Sequence, residues 1–315
     1  MEENNNDMVI PDIHSFDQVL HRARQKASGK RTRAAFVVPS DVDMLKAFTK
    51  AVGDGLLDPT IIGDEELLKK NADEHGLDLG DSKIIDMNQP DMAVATAAQM
   101  AIKGGIDLIV KGRMANDDFL ALLFARELAF FSRKKTACHI GVIKPERYPK
   151  LLFLTDAGVI IEPDLKQKAA LIQNIVEFTG LVGVNCPRVA LLAAVEVVYP
   201  QMPVTTEAAV LSKMAERKQI TGAHVDGPLS FDVAVDMPAA HSKGITDSAV
   251  AGQADALVAP NIETANGIYT AMSLYGRAEV AGLIYGGRVP VALGSRSDSM
   301  ENKYRSIVLG VIAST

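Results

Sequence analysis

Short apolar runs alternate along this chain with longer stretches in which apolar residues recur every three or four positions. In the first half the short runs are AAFVV (34–38), PTIIG (59–63), KIIDM (83–87) and DLIVKG (107–112), and they predict buried strands. Each is followed by a helical pattern: DVDMLKAFTKAVGDG, DEELLKKNADEHG, the alanine-rich Asp91 to Lys103, and Asp117 to Phe131. Asp64 and Gly76 predict the N-cap and the C′ residue of the second of these helices. One more helix, Phe16 to Lys26, precedes them all. Strand and helix in strict alternation predict a mainly parallel sheet covered on both faces.

The pattern then changes. ACHIGVI (137–143) and LLFLT (151–155) are separated only by KPERYPK, which suits an antiparallel hairpin better than a crossover. A helix over Leu165 to Thr179, strand VALLAAV, helix Thr206 to Lys218 and the segment HVDGPLSFDVAV follow. DALVAP (255–260) leads to helix Ile262 to Tyr275, and then to VAGLIYG. The last unit is a strand, Val289 to Leu293, and a helix with apolar positions Met300, Tyr304, Ile307, Val308 and Val311. The change near residues 141–147 predicts an α/β protein of two domains: residues 1–142 with 294–315, and residues 143–293. The last helix returns to the first domain because an amphipathic helix needs a sheet face to cover.

Composition narrows the class. The chain has 315 residues, 48% hydrophobic and 23% charged, enough for two folded domains. A net charge of −6 argues against nucleic acid or an anionic membrane as partner. An anionic substrate would need a local cluster of cations. The two cysteines, Cys138 and Cys186, have no paired spacing and read as packed thiols in a reducing cytoplasm. The start, MEENNNDMVI, is too polar for a signal peptide, and no apolar run approaches the roughly 18 residues of a membrane span. A cytoplasmic protein with no membrane partner is expected.

In open parallel sheets ligands bind beyond the carboxyl ends of strands. Five polar clusters are predicted at such ends: Lys111-Gly112-Arg113, Thr155-Asp156, Asp226-Gly227-Pro228, Asn261 and Ser295-Arg296. The last lies between a strand and a helix, where free N–H groups and the dipole favour an anion. Asp298 as N-cap and Glu301 as its capping-box partner explain those two acids without chemistry. Capping does not require Arg296, a bulky cation. Turn chemistry alone accounts for Asp156, and Asp226-Gly227-Pro228 is either a turn or a cleft wall. Asn261 reads as an N-cap, with Asn266 on the next turn toward the cleft. Lys111 is either a solvated strand-end lysine or a binding cation, and His139 either a hydrogen-bonded structural histidine or a ligand-facing one. P-loop, HExxH, Cys-x-x-Cys and G-x-G-x-x-G patterns are absent.

These clusters, with TIIGDEE (60–66), KLLFLTDAGVIIEPDLKQK (150–168), DGPLSFDVAV (226–235), ADALVAPNIETANGIYTAM (254–272) and AEVAGLIYGGRVPVALGSRSDSMENK (278–303), resemble the phosphate acetyl/butyryl transferase family, and within it the phosphate butyryltransferase branch. The likeness runs from about residue 16 to the end. It implies two α/β domains around a cleft, akin to the isocitrate and isopropylmalate dehydrogenases, and association into homodimers or larger homo-oligomers. It also implies transfer of an acyl group between coenzyme A and inorganic phosphate. No metal or cofactor is required, because the thioester carries the activation and coenzyme A is itself a substrate. Ser295 and Arg296 match the family's catalytic pair. His139 aligns with a histidine common in the butyryltransferase branch. Two positions depart from the pattern. Ala121 stands where relatives carry an arginine, with Arg113 and Arg126 nearby in sequence. Asn302 stands where acetyltransferases place an aspartate proposed as the base, which leaves Asp298 and Glu301 as bases to consider.

The implied reaction sets three tasks: holding phosphate against the thioester carbonyl, supplying donors to the oxyanion, and handling the thiol proton. Arg296 suits phosphate or the oxyanion, because its fork donates two parallel bonds and stays charged. Ser295 could donate to the oxyanion or the sulfur. Lys111, Gly112, Arg113, His139, Asp156, Asp226, Asn261 and Asn266 are the expected substrate-binding set. Phosphate acetyltransferase is the near alternative, and a catalytically impaired coenzyme A-binding paralogue is another. A metal- and NAD-dependent decarboxylating dehydrogenase would need clustered aspartates, which the sequence lacks.

Overall fold

The computed structural model describes residues 13–132, 135–295 and 297–314, so the polar start and Arg296 lie outside the described residues. The first half comprises α1 (Phe16–Gly29), β1 (Thr32–Val37), α2 (Val42–Gly53), β2 (Leu57–Gly63), α3 (Glu65–Glu74), β3 (Lys83–Asp86), α4 (Pro90–Ile102), β4 (Leu108–Lys111) and α5 (Asn116–Phe124). Then come β5 (Cys138–Lys144), β6 (Leu152–Thr155), α6 (Leu165–Val182), β7 (Arg188–Leu192), α7 (Pro203–Glu216), β8 (His224–Leu229), α8 (Phe231–Val235) and α9 (Met237–Ser242). The chain closes with β9 (Ala256–Val258), α10 (Ile262–Leu274), β10 (Glu279–Tyr285), β11 (Val291–Ala292) and α11 (Met300–Ala313).

Local chemistry starts and stops these helices. Ser15 and Gln18 form a capping box on α1, and Asp164 and Gln167 form one on α6. Asp64 accepts from the Leu67 N–H, and Gly76, at φ 61°, takes the left-handed turn beyond α3. The sequence reading of α5 runs seven residues too far, to Phe131. The helix ends at Phe124, a 3₁₀ turn covers Arg126–Leu128, and Ala129 is left-handed. This reversal lets Phe130 reach the core and sets the Phe131 and Phe124 rings 4.1 Å apart.

One eleven-stranded sheet runs β3-β2-β1-β4-β11-β10-β5-β6-β9-β7-β8. The first five strands are mutually parallel, and so are the last four. Between them β10 is antiparallel to both β11 and β5, and β5 to β6, as the hairpin reading expects. The two parallel groups therefore run in opposite senses, with their carboxyl ends at opposite edges of the sheet. Lys111 and Ser295 follow strands of one group and Asp156 and Asn261 strands of the other, so these clusters do not share one edge.

One face is covered without a break. Phe36, Phe48, Leu108, Ile140, Phe153, Phe178, Leu283 and Ile307 join a core beneath α1, α2, α6, α7 and α11. The other face is covered in two pieces. Val37, Ile109 and Val291 pack under α4 and α5, while Leu154, Ala190 and Leu257 pack under α8, α9 and α10. The gap between the pieces lies over β5 and β10. Helix α11 packs against α1 and α2: the Tyr304 hydroxyl donates to Asp54 at 2.6 Å, and Lys26 donates to the carbonyls of Val311 and Ile312 at the helix carboxyl end.

Candidate active site

Strand periodicity explains the floor of the gap. Successive side chains point to opposite faces, so Cys138, Ile140 and Val142 enter the continuous core, while His139 and Gly141 face the gap. On β10, Ala281 and Leu283 go one way and Gly282 the other. The result is a cleft of about 720 Å³, within the range of small-molecule sites. Asn116, Asp117 and Leu120 of α5 form one wall, Asn266, Tyr269 and Thr270 of α10 the other. His139, Ala157 and Gly158 lie at the base, and Ser295, Ser297, Asp298, Ser299 and Asn302 close one end.

The segment after β11 is a self-bonded turn. The Ser295 N–H donates to Asp298 Oδ2 at 2.7 Å, the Asp298 N–H returns a bond to the Ser295 carbonyl at 3.1 Å, and the Ser295 and Ser297 hydroxyls are 3.0 Å apart. The N-cap of α11 is Ser299, which accepts from the Asn302 N–H, and not Asp298. Asp298 is engaged instead in holding the turn one residue earlier. Glu301 is correspondingly no capping-box partner; it ion-pairs with Lys50 of α2 at 2.9 Å and does not line the cleft. Burial raises the Asp298 carboxyl above the usual aspartate value, offset in part by the Ser295 N–H and by Lys303. Lys303 is 2% exposed and pairs with Asp41 at 3.1 Å. Its stem crosses Gly294 so closely that a Cβ there would sit 2.9 Å from Lys303 Cγ.

The other expected residues divide. Lys111 is buried at the end of β4, donates to the Gly112 carbonyl at 3.2 Å and does not line the cleft, so it is not a solvated lysine. Gly112 lets two strands meet: a Cβ there would be 2.0 Å from the Val38 carbonyl oxygen. Arg113 and Arg126 are exposed and off the cleft, and Ala121 is exposed beside Leu120. No lysine or arginine among the described residues lines the cleft; its carboxylates are Asp117 and Asp298. Arg296, flanked by two cleft-lining serines, lies outside the described residues.

Asp156 accepts from four main-chain N–H groups, those of His139, Gly158, Val159 and Ile160, and so shapes the loop that carries Gly158. Burial pushes it up to about 6 against the pull of those donors. Asp226 sits inside strand β8 and accepts from Ser248, so it forms neither a turn nor a wall of this cleft. Asn266 lines the cleft, with Nδ2 3.5 Å from the Ala157 carbonyl. Cys138 is buried, accepts from Asn174 Nδ2 at 3.2 Å, and is pushed up to about 12 by burial, which leaves an inert thiol. Sequence reasoning missed Tyr269 and Lys303. Tyr269 is three residues beyond Asn266, one turn on and on the same helix face, a spacing that could have found it.

Asn261 caps α10 through the Thr264 N–H and lines a different hollow, also about 720 Å³. That crevice lies beyond β7 and β9, between Asp164, Leu192, Met202, Val204, Phe231 and Pro260. Its buried lysine, Lys168, is paired with Glu207. No group of three or more His, Cys, Asp or Glu among the described residues is placed to hold a metal ion, and no described helix is long and apolar enough to cross a membrane.

Comparison with known proteins places this architecture. The phosphate acetyl/butaryl transferase family model matches residues 91–311. The phosphate butyryltransferase of Clostridium acetobutylicum is 36% identical over 95% of this chain and 98% of its own length. The phosphate acetyltransferase of Thermotoga maritima is also 36% identical, over 93% and 99%. The crystal structure of a branched-chain phosphotransacylase from Enterococcus faecalis V583 superposes with a TM-score of 0.76 at 25% identity, over 90% of this chain and all of that one. The chain belongs to the phosphate acetyl/butaryl transferase family.

Proposed function

We propose that this protein is an acyltransferase that moves an acyl group between coenzyme A and inorganic phosphate within a ternary complex. The observation that carries this reading is the turn Ser295 to Asp298, which lines one end of a cleft whose other walls come from both halves of the chain. Arg296 within that turn supplies the fork for phosphate. A phosphate oxygen attacks the thioester carbonyl carbon, the Ser295 hydroxyl donates to the oxyanion, the carbon–sulfur bond breaks, and coenzyme A leaves as thiolate. In reverse, the thiol gives its proton to a base. Asp298 suits this role better than Glu301, because burial raises its affinity for a proton while Glu301 is engaged by Lys50.

Relatives named for butyryl and for acetyl transfer are equally identical to the chain, so acyl length is decided by assay. Phosphate-dependent release of free thiol is to be measured across acetyl-, butyryl-, isobutyryl- and octanoyl-CoA. A maximum at four or five carbons is expected. A maximum at acetyl makes the protein an acetyltransferase. Binding of coenzyme A with no phosphate-dependent turnover makes it an impaired paralogue, in keeping with alanine at position 121. Exposed Ile161, Val197, Val198 and Tyr199 support association into a homo-oligomer, and the low cysteine content is in keeping with a reducing cytoplasm.

A further inference from the structure

His139 lies at the cleft base in a cradle of three glycines, Gly141, Gly158 and Gly282. A Cβ on Gly282 would fall 2.5 Å from its Nε2, and one on Gly158 3.3 Å from its Cβ. A Cβ on Gly141 would meet the Tyr269 ring at 2.8 Å, and that ring stands edge-on to the imidazole at 5.9 Å between centroids. The same point above Gly282 is 3.6 Å from the Leu293 carbonyl oxygen, two residues before Ser295. Nε2 thus lies next to the strand end that carries the serine turn.

The ring makes no hydrogen bond among the described residues, and Nδ1 is fully buried without a partner. Leaving a buried polar atom unsatisfied costs about 1 to 3 kcal/mol, so hydrogen bonding within the protein does not account for an imidazole here, and with Nδ1 sealed off only Nε2 can meet a ligand. Asp156 does not orient the ring as in a carboxylate–histidine pair: it accepts from four main-chain N–H groups, that of His139 among them, and from neither ring nitrogen. An orphaned N–H is rarer than an orphaned acceptor, which favours the tautomer with its proton on Nε2. Burial also depresses the imidazole to about 4, so it is neutral at pH 7. A neutral donor strengthens as charge develops on an oxyanion, without drawing the phosphate away from an arginine.

We infer that His139 is a substrate-binding residue whose Nε2–H donates to the acyl carbonyl oxygen and to the oxyanion formed from it, beside the strand end that carries Ser295. The inference rests on the acyl-transfer reading and adds a second oxyanion donor to it. The test compares His139→Leu and His139→Gln with the wild-type protein. Steady-state turnover of butyryl-CoA with phosphate is measured beside calorimetric binding of free coenzyme A, which has no acyl carbonyl. His139→Leu is expected to lower kcat/KM roughly 10- to 100-fold. The Kd of free coenzyme A should stay within about twofold, and His139→Gln should recover part of the loss through its amide N–H. An active wild type with both variants within about threefold of it overturns the inference, as does a coenzyme A affinity that falls in step with kcat/KM. Wild type inactive with every acyl-CoA overturns the acyl-transfer reading instead. Should His139→Leu fail to fold, ¹⁵N-histidine NMR of the wild type decides. A neutral Nε2–H ring that shifts on adding butyryl-CoA, but not coenzyme A, supports the inference; no shift removes it.

Discussion

The molecule has two hollows of equal size, each about 720 Å³, and they differ in how their polar groups are spent. In the crevice beyond β7 and β9, Lys168 is matched by Glu207 and Asn261 is committed to capping α10. In the cleft over β5 and β10, the His139 ring has no partner, and Asp298 is raised by burial. Volume does not separate a structural hollow from a reactive one, whereas unmet hydrogen-bonding capacity does. The crevice also occupies the carboxyl ends of parallel strands, where a ligand is ordinarily sought. Here the two antiparallel strands at the centre shift the site to the sheet face between two blocks of helices.

The largest effect expected in the cleft is that of Arg296→Ala, which should lower phosphate-dependent turnover by about 10²- to 10³-fold, as loss of an oxyanion-site donor does. Unchanged turnover would remove Arg296 from the mechanism and with it the role given to the serine turn. Next comes the pH dependence of His139. Its folded value near 4 lies below the unfolded value of about 6.5, so between these the unfolded chain binds more protons and stability rises with pH. Asp156, raised to about 6, acts oppositely: from about pH 4 to 6 the folded state holds the extra proton, and stability falls as pH rises. Denaturation of the wild type minus that of His139→Gln isolates the first term. The difference should change by about 3 kcal/mol between pH 7 and pH 4, against the wild type at low pH. A pH-independent difference would mean the ring is already hydrated and is no desolvated donor.

A smaller effect is expected of Gly282→Ala. Its new methyl would sit 2.5 Å from His139 Nε2 and 3.0 Å from Cε1, so the ring must tilt out of its cradle. Turnover of butyryl-CoA should fall roughly tenfold, in keeping with the sensitivity of catalysis to small misplacements. Turnover within about twofold of wild type would show that the ring position does not matter to the chemistry.

Much of this was readable before the fold. Alternation in ACHIGVI already puts Cys138, Ile140 and Val142 on one face and His139 and Gly141 on the other. Asp64 and Gly76 bound α3 where local rules place them. The strand–turn–helix around Ser295 is in place as well, although Ser299 rather than Asp298 caps α11, because three consecutive cap-competent residues leave the choice to packing. Sheet order was not readable. Nothing local in VAGLIYG says that β10 runs against both its neighbours, which leaves β11 and β5 parallel, so it is the β5–β6 hairpin that puts Asp156 and Asn261 on the opposite edge from Lys111 and Ser295. Lys303 escaped notice for a similar reason. Its partner Asp41 is 262 residues away, and only the return of α11 brings them together.

The smallest effect tests the quiet member of the pair. Lys168→Met removes a buried cation from the crevice, with 9% of the side chain exposed, while Glu207, 33% exposed, can take its hydration from solvent. Breaking a fully buried pair costs several kcal/mol, and an exposed one nearly nothing. This pair lies between, and methionine recovers the packing of the lysine stem, so a loss of about 1 kcal/mol in denaturant unfolding is expected. Turnover of butyryl-CoA and its KM should stay within about twofold, because the crevice lies behind α10 and shares no described lining residue with the cleft. A tenfold rise in KM with stability unchanged would instead make Lys168 a contact for the long anionic part of coenzyme A. The two hollows would then be consecutive parts of one site bridged over α10, and unmet hydrogen bonding would mark only the place where bonds are made and broken.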